Sequence, residues 1–564
     1  MPRGDLRIPI RPLEAAGAAL ALAVGFHFLA LRVRAGGLPV GDEGSWLSVA
    51  AELAKGHGFT TRWLEAHFLV PYALPRPDDF RYPALTSILA LAFRAFGFSV
   101  ETGRWTVAVL FLGFAAAVWG VARKAFGRWA AMAALWLTVT SLLQLEWNSA
   151  VYTEGLFGLV ATGLAAWGLR GHAVEPLANR NGGDAGVEPG LPVWRRAGWW
   201  AGLGAGVGLL YLVRANGILF LPGMIWLWWL RRRSLGWRQP LAAVAGFAMI
   251  AGPWMARTAL RFGNPLHIAG NAGMLREVGQ PHTYTLAQYF SHYDVLFPLR
   301  REALGIWGFF RTLEHYEHGL WIVPFLLACA VAMQRRRFFD PAFAVGFALT
   351  FAASAYAAYD SWAGARYMSG LLPLAYAYGL SALPALAMRR FPSPAPWMRP
   401  SGYAAIALLL LPVLGPHRYY ERKLAHPRGD LGMPLDEHLT MLATELPPDG
   451  RYYAASLCRV NFLMPRTGCV GLQELYDTSW FSRSLQAFHP ALIALTHEET
   501  RDTTMLAALS LMRAKGYAQD TLGTSPLAVY LALRPAALGH EGADTRAVRA
   551  DALPLPVAFA RSAP

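Results

Sequence analysis

The sequence predicts an α-helical polytopic membrane protein with about eleven transmembrane helices and a small C-terminal extracytoplasmic α/β domain. Three observations carry this. Apolar residues make up 55% of the 564 positions and charged residues only 15%, against about 25% charged in soluble domains. Mean hydropathy is +0.29, and the apolar residues fall in blocks long enough to cross a bilayer. The 51 Lys and Arg exceed the 36 Asp and Glu by 15, and the arginines sit at the ends of those blocks. That placement assigns the charge to membrane topology rather than to nucleic acid. The composition rules out a disordered chain and argues against an ordinary soluble enzyme. Three cysteines exclude a disulfide-dense scaffold, and none has zinc-type spacing.

The first apolar block, 13–31, lacks a small-residue cleavage site and reads as a span rather than a removable signal. Further spans are read at 102–121, 129–144, 154–170, 199–213, 217–230, 238–254, 319–333, 341–357, 368–388 and 402–416. Every second connection is basic. The first holds Arg3, Arg7 and Arg11; the next Arg123, Lys124 and Arg128; then Arg195 and Arg196; then Arg231, Arg232, Arg233 and Arg238. The last two hold Arg335, Arg336 and Arg337, and Arg389, Arg390 and Arg399. The positive-inside rule puts these loops and the N-terminus in the cytoplasm, and an odd number of spans puts the C-terminus outside. The expected location is the cell (inner) membrane.

Residues 1–416 form the membrane domain, with large outer loops at 33–101 and 255–318, and 417–564 form the outer tail domain. The apolar block 83–97 is not counted as a span, because counting it would move Arg123 and Lys124 outside. It reads as a helix on the membrane surface. In the tail, 452–457 and 526–533 read as strands, and 503–515 as a helix closed by Gly516. The Gly- and Asn-rich stretch 179–190 reads as a cytoplasmic loop.

The first outer loop is chemically the most informative. Trp46, Val49, Ala50 and Leu53 fall at i, i+3, i+4 and i+7, one face of a helix closed by Gly56. Asp42 and Glu43 stand at its N-terminus, where the dipole favours a carboxylate; the bland alternative is that Asp42 is only a cap. Arg81 is a cation just before the Pro83 helix start, or else an interfacial arginine reaching for headgroups. Glu154 opens a span, and a carboxylate at membrane depth is costly. Arg214 to Gly217 interrupts an apolar stretch, 360–367 is a short outer loop with one acid and one base, and Arg257, His267, Arg276 and His282 lie in the second large loop. These groups share the outer face. Carboxylates beside arginines suit a reaction with a hydroxyl nucleophile and an anionic leaving group. No phosphate-binding G-x-x-x-x-G-K-[ST] and no strand-linked G-x-G-x-x-G occurs, so an activated donor on this face is expected to be lipid-borne.

With these residues in view, the sequence resembles the GT-C glycosyltransferases, membrane enzymes that use polyprenyl-phosphate sugars. The similarity is strongest to the branch of protein O-mannosyltransferases and lipid A aminoarabinose transferases. It rests on Asp42-Glu43 before the amphipathic helix, Arg81-Tyr82-Pro83-Ala84-Leu85 with Phe96-Gly97, and Thr153-Glu154-Gly155-Leu156-Phe157. Val213-Arg214-Ala215-Asn216-Gly217, Pro253-Trp254-Met255-Ala256-Arg257 leading to Phe262-Gly263-Asn264-Pro265, and Ala365-Arg366-Tyr367 complete it. Order and spacing match over about 30–390; the tail is similar only in character.

The resemblance implies that Asp42 is the catalytic base, with Glu43 beside it and Glu154 as a second acid. Arg81 and Arg366 would hold the lipid phosphate, and Tyr82, Arg214, Arg257, His267 and Tyr367 complete the expected substrate-binding set. Aminoarabinose transferases carry a zinc-binding Glu within Glu-Lys-Pro-Pro, where this chain has Arg81, Tyr82, Pro83 and Ala84. No obligatory metal is therefore expected, although a divalent metal is compatible. The expected partners are a polyprenyl-phosphate-linked sugar, an acceptor protein, lipid or glycan, and membrane lipids, with no nucleic acid. The alternatives are a lipid or sugar transporter, suggested by the break at 214–217, and a non-catalytic envelope scaffold. Cys458 and Cys469 lie close together in the outer tail, either disulfide-bonded or as two separate thiols, and Cys329 reads as a buried apolar residue.

Overall fold

The computed structural model describes residues 12–35, 39, 42–64, 75–78, 80–174, 193–231, 236–266, 296–317, 341–357 and 363–380, the strand segments 452–455, 468–471, 492–496, 517–524 and 528–535, and a few positions between 507 and 514. The expected spans at 319–333 and 402–416, the 179–190 loop, and Cys329, Cys458 and His267 lie outside the described residues.

The described residues of the other expected spans are helical apart from short breaks, and 381–388 of the 368–388 span lie outside the described residues. α1 is Pro12–Arg34. The expected first outer loop then holds α2, Glu43–Ala54, and α3, Pro83–Phe96. α4 is Val100–Phe126, capped by Ser99 taking the Thr102 N–H and stopped by Gly127 at φ 92°. α1 and α4 are long and apolar enough to cross a membrane by length and composition. Glu14 near the start of α1 pairs with Arg123 near the end of α4, so those two ends lie on one side of the bundle.

The expected 129–144 span is broken. α5, Arg128–Thr140, stops at Ser141, whose hydroxyl takes the Gln144 N–H and starts α6, Leu142–Asn148. A serine at that position caps a new helix rather than continuing the old one. α7, Glu154–Val174, follows, then α8, Val193–Val213. Arg214 is extended, with φ −161° and ψ 143°, and a 3₁₀ turn, Ala215–Phe220, leads into α9, Leu221–Arg231. Gly217 permits that turn, because a Cβ there would overlap the Leu210 and Tyr211 backbone.

α10, Arg238–Phe262, ends at Gly263 in the left-handed region. α11, Phe297–Glu317, lies inside the expected outer loop. Sequence reading missed it because its charged residues flatten the apolar signal. α12 is Pro341–Ala357; then come α13, Ala363–Met368, and α14, Leu372–Leu380. The 368–388 stretch thus begins with a break rather than one straight helix.

α1 packs on α4 and α5, α4 on α7, α7 on α8, and α8 on α10. The last contact is made by glycine. A Cβ at Gly204 would overlap the Ala243 carbonyl, and one at Gly246 the Ala201 carbonyl. Close backbone approach through small residues is how helices associate where lipid removes the hydrophobic drive. Val109, Ile225, Trp226, Val244, Met249 and Leu260 are exposed on the outsides of α4, α9 and α10, a surface suited to acyl chains rather than water.

α3 buries Leu85, Leu89 and Phe93 against the core while Leu91 and Phe96 face out, the division expected of a surface helix. Short strands β1, Thr60–Thr61, and β3, Arg76–Pro77, pair antiparallel within the first outer loop. The same loop supplies β2, Trp63–Leu64, to a six-stranded sheet otherwise drawn from the tail. Its order is β2-β5-β4-β6-β8-β7. β4, Tyr452–Ala455, β5, Gly468–Gly471, and β6, Leu492–Thr496, are parallel; β7, Tyr517–Thr524, and β8, Ala528–Pro535, complete it antiparallel. β4 and β8 correspond to the two strands read from sequence. Cys469 in β5 is disulfide-bonded, and its N–H donates to the Arg62 carbonyl at 3.0 Å. The tail is therefore stitched to the loop that carries α2.

Gly246→Leu forces the α8–α10 backbones apart and is expected to destabilise the protein by about 1–3 kcal/mol. A detergent-solubilised variant that unfolds at the wild-type temperature would contradict this packing.

Candidate active site

Asp42 precedes α2 but does not cap it: its side chain bonds no helix N–H. The simple cap alternative therefore fails, and the carboxylate is used elsewhere. Oδ1 accepts from Arg81 Nη2 at 3.3 Å and Oδ2 from Arg366 Nη2 at 3.1 Å. Asp42 is still 32% exposed, whereas both guanidiniums are nearly buried. Partial burial pushes the Asp42 carboxyl up, but the charges of Arg81 and Arg366 and their hydrogen bonds outweigh it and hold it well below the usual carboxylate range.

Arg81 is fixed from three sides. Its Nε donates to Ser45 Oγ at 2.6 Å, its backbone N–H to Asp78 Oδ2 at 2.7 Å, and its guanidinium stacks on Phe80 at 4.2 Å. It does not reach outward for headgroups, being 4% exposed. Ser45 in turn donates to the Asp42 carbonyl, so one turn of α2 holds both ends of the Asp42–Arg81 pair.

Glu154, the first residue of α7, is 1% exposed. Its Oε1 accepts from Arg366 Nε at 2.7 Å and lies 3.4 Å from Arg214 Nη1. Arg366 thus bridges Asp42 and Glu154, and its guanidinium lies over Tyr152 at 4.1 Å and Trp147 at 5.0 Å. Arg214, released from helix geometry at the α8 break, lies over the Tyr367 ring at 4.3 Å. The discontinuity that suggested a transporter therefore delivers a cation to the same cluster. Tyr82 is buried beside Tyr211, ring centroids 5.6 Å apart. Burial, then the Tyr211 phenol, push its hydroxyl well above the usual range, against the Arg214 charge.

The remaining expected residues lie apart from this cluster. Glu43 is fully buried in a bidentate pair with Arg104, Nε–Oε1 2.8 Å and Nη2–Oε2 3.0 Å, and also takes the Val151 N–H. It ties α2 to α4 and to the connection between α6 and α7. Arg257 donates to the Phe59 and Asp78 carbonyls, each at 3.0 Å, and stacks on Trp254 at 4.5 Å. It secures the loop from which Arg81 extends.

Sequence reading missed Arg104, Ser45, Tyr211, Trp147 and Tyr152. Arg104 alone left a signal, a charge near the start of a span. At the far end of α2, Glu52 binds Lys55, His57 and Arg62. Burial pushes its carboxyl up, but these partners hold it below the usual range.

Among the described residues no three His, Cys, Asp or Glu side chains converge as a metal site. The donor set is also cationic: both Asp42 oxygens and Glu154 Oε1 face guanidiniums. A dication there would have to displace arginines, so this arrangement fits an anion better than a metal.

No protein-family model matches the sequence, and no curated protein sequence matches it significantly. Solved structures do match. ArnT from Cupriavidus metallidurans bound to undecaprenyl phosphate superposes with a TM-score of 0.52 at 16% identity, over 92% of this chain and 97% of that one. The archaeal oligosaccharyltransferase AglB from Archaeoglobus fulgidus, in complex with an inhibitory peptide and a dolichol-phosphate, gives 0.54 at 12% identity over 94% and 75%. The A. fulgidus enzyme was also solved in complex with Zn and sulfate. At these identities the likeness is one of overall fold: the chain shares the architecture of these solved structures.

Glu43→Gln removes one member of a buried pair and is expected to cost about 3–5 kcal/mol of stability. Asp42→Asn, at a partly exposed position, is expected to shift the unfolding midpoint far less. Thermal unfolding of the two purified variants that ranks them the other way would show that Glu43 is not the structural tie.

Proposed function

We propose that the protein is a polyprenyl-phosphate-sugar-dependent glycosyltransferase acting at the outer face of the membrane. The N-terminus is cytoplasmic and the sheet of the tail is extracytoplasmic. The observation that carries this is the arginine bridge: segments at 42, 81, 154, 214 and 366 converge to hold two carboxylates among three guanidiniums. The undecaprenyl phosphate and dolichol-phosphate bound by the structural neighbours supply the class of ligand such a cationic cluster suits.

In this reading the donor phosphate takes Arg81 and Arg366 away from Asp42. Asp42 Oδ then accepts the proton of the acceptor hydroxyl, and that oxygen attacks the anomeric carbon. The bond from that carbon to the phosphate oxygen breaks, and polyprenyl phosphate leaves with the electron pair into the arginines. One displacement inverts the anomeric centre. Glu154 keeps Arg366 and Arg214 in place throughout. No step is routed through a metal, because the guanidiniums carry the leaving group's charge.

Asp42→Asn keeps the shape and removes the base, so turnover is expected to fall about 10²–10⁴-fold. In a deletion strain carrying this variant, mass spectrometry of envelope lipids and glycans should show one glycan lost and its lipid-linked sugar accumulated. A profile identical to that of wild type at equal expression refutes the role.

The base must be ionised, so activity falls as pH drops through its pKa. In the free protein the arginines depress that pKa; with donor bound they are shared with phosphate. The acid limb of kcat is therefore expected at higher pH than that of kcat/KM, and superimposable limbs would contradict the exchange.

A further inference from the structure

Three polar atoms in or beside the arginine cluster are buried and lack hydrogen-bond partners among the described residues: Glu154 Oε2, Tyr82 Oη and Tyr211 Oη. Their residues are 1%, 6% and 1% exposed. Buried polar groups are almost always satisfied, so each such atom needs an explanation. A carboxylate oxygen only accepts, and it calls for a donor that the fold does not supply. The two phenols can donate or accept and lie edge to face. Tyr82 directly follows Arg81, which pairs with Asp42, and Tyr211 stands one turn before Arg214, which lies 3.4 Å from Glu154 Oε1.

The sign of the charge narrows what fits. In the linked cluster Asp42 and Glu154 carry two negative charges and Arg81, Arg214 and Arg366 three positive ones. The donor's phosphodiester adds a third negative charge, so the occupied cluster is neutral and a buried ammonium would lose its hydration without compensation. The neighbouring Glu43–Arg104 pair is neutral. A cationic ligand group gains no net attraction here, whereas an uncharged O–H satisfies Oε2 without opposing the arginines.

We infer that Glu154 Oε2, with the Tyr82 and Tyr211 hydroxyls, forms a subsite for the uncharged hydroxyls of a sugar, and that it selects against an ammonium-bearing one. The inference rests on the proposed glycosyl transfer and adds to it the class of sugar. The same chemistry fits hydroxyls of the donor sugar or of an acceptor glycan.

The test is binding to the full-length protein in detergent or nanodiscs. The probes are undecaprenyl phosphate, the same lipid carrying glucose, mannose, galactose or arabinose, the same lipid carrying 4-amino-4-deoxyarabinose, and the free methyl glycosides. At least one uncharged sugar is expected to tighten binding about tenfold over the bare lipid, and the amino sugar is not. Tyr82→Phe and Tyr211→Phe remove only a hydroxyl. Each is expected to reduce that increment about fivefold and to leave bare-lipid affinity near wild type. A gain seen only with methyl glycosides places the hydroxyl on the acceptor.

The subsite is overturned if the amino sugar binds tightest, if no sugar improves on the bare lipid or binds alone, or if both phenylalanine variants keep the full increment. Failure of bare undecaprenyl phosphate to bind overturns the arginine phosphate site, and the subsite with it.

Discussion

The organisation of the site depends on one shared guanidinium. Arg366 donates to Asp42 and to Glu154 at once, and through them the loop after α1, the start of α7 and the short α13 helix are held at one point. Remove that charge and Asp42 would keep only Arg81 and Glu154 only Arg214, with no shared cation left to join the two carboxylates. Like charges at low dielectric repel strongly, so the carboxylates need the arginine as much as the arginine needs them. The aromatic faces of Tyr152 and Trp147 complete its enclosure.

Around this bridge the chain separates chemistry from scaffolding using the same residue types. Glu43 and Asp42 are adjacent, yet Glu43 is locked by Arg104 while Asp42 keeps an exposed edge. Arg81 reaches the site while Arg257 straps its loop to α10. Farther along α2, Glu52 and Arg62 connect to the strand that joins the tail sheet. The helix bearing Asp42 is thereby fixed at both ends, by the bundle at its start and by the tail at its finish. Positioning of this kind limits what the carboxylate must reorganise during a reaction.

Break points in helices are the other shared device. Ser141 ends α5, Arg214 stands in extended backbone after α8, and Glu154 opens α7. A polar side chain at a helix end can point along the bundle axis into a common site, which one at mid-helix cannot. Gly217 lets the turn after Arg214 pack on the Leu210 and Tyr211 backbone, and Gly204 and Gly246 let α8 and α10 pack closely.

Much of this was legible in the residues. Blocked apolar composition and alternating arginines gave the membrane class, because lipid penalises polar groups independently of fold. Glu154 stood out because a carboxylate at membrane depth is costly, and Asp42, Arg81, Arg214 and Arg366 through the ordered motifs that carry the family resemblance. The function of neighbouring charges was not legible. Nothing local distinguishes Glu43 from Asp42; Arg104, 61 residues away, does so. Nor does any pattern place Tyr211 beside Tyr82, or a strand of the first loop beside Cys469 in the tail. The sequence by itself determined which residues are too expensive to be incidental. Only the tertiary structure decided which of them share a partner, because pairing depends on distances between segments that are far apart in the chain.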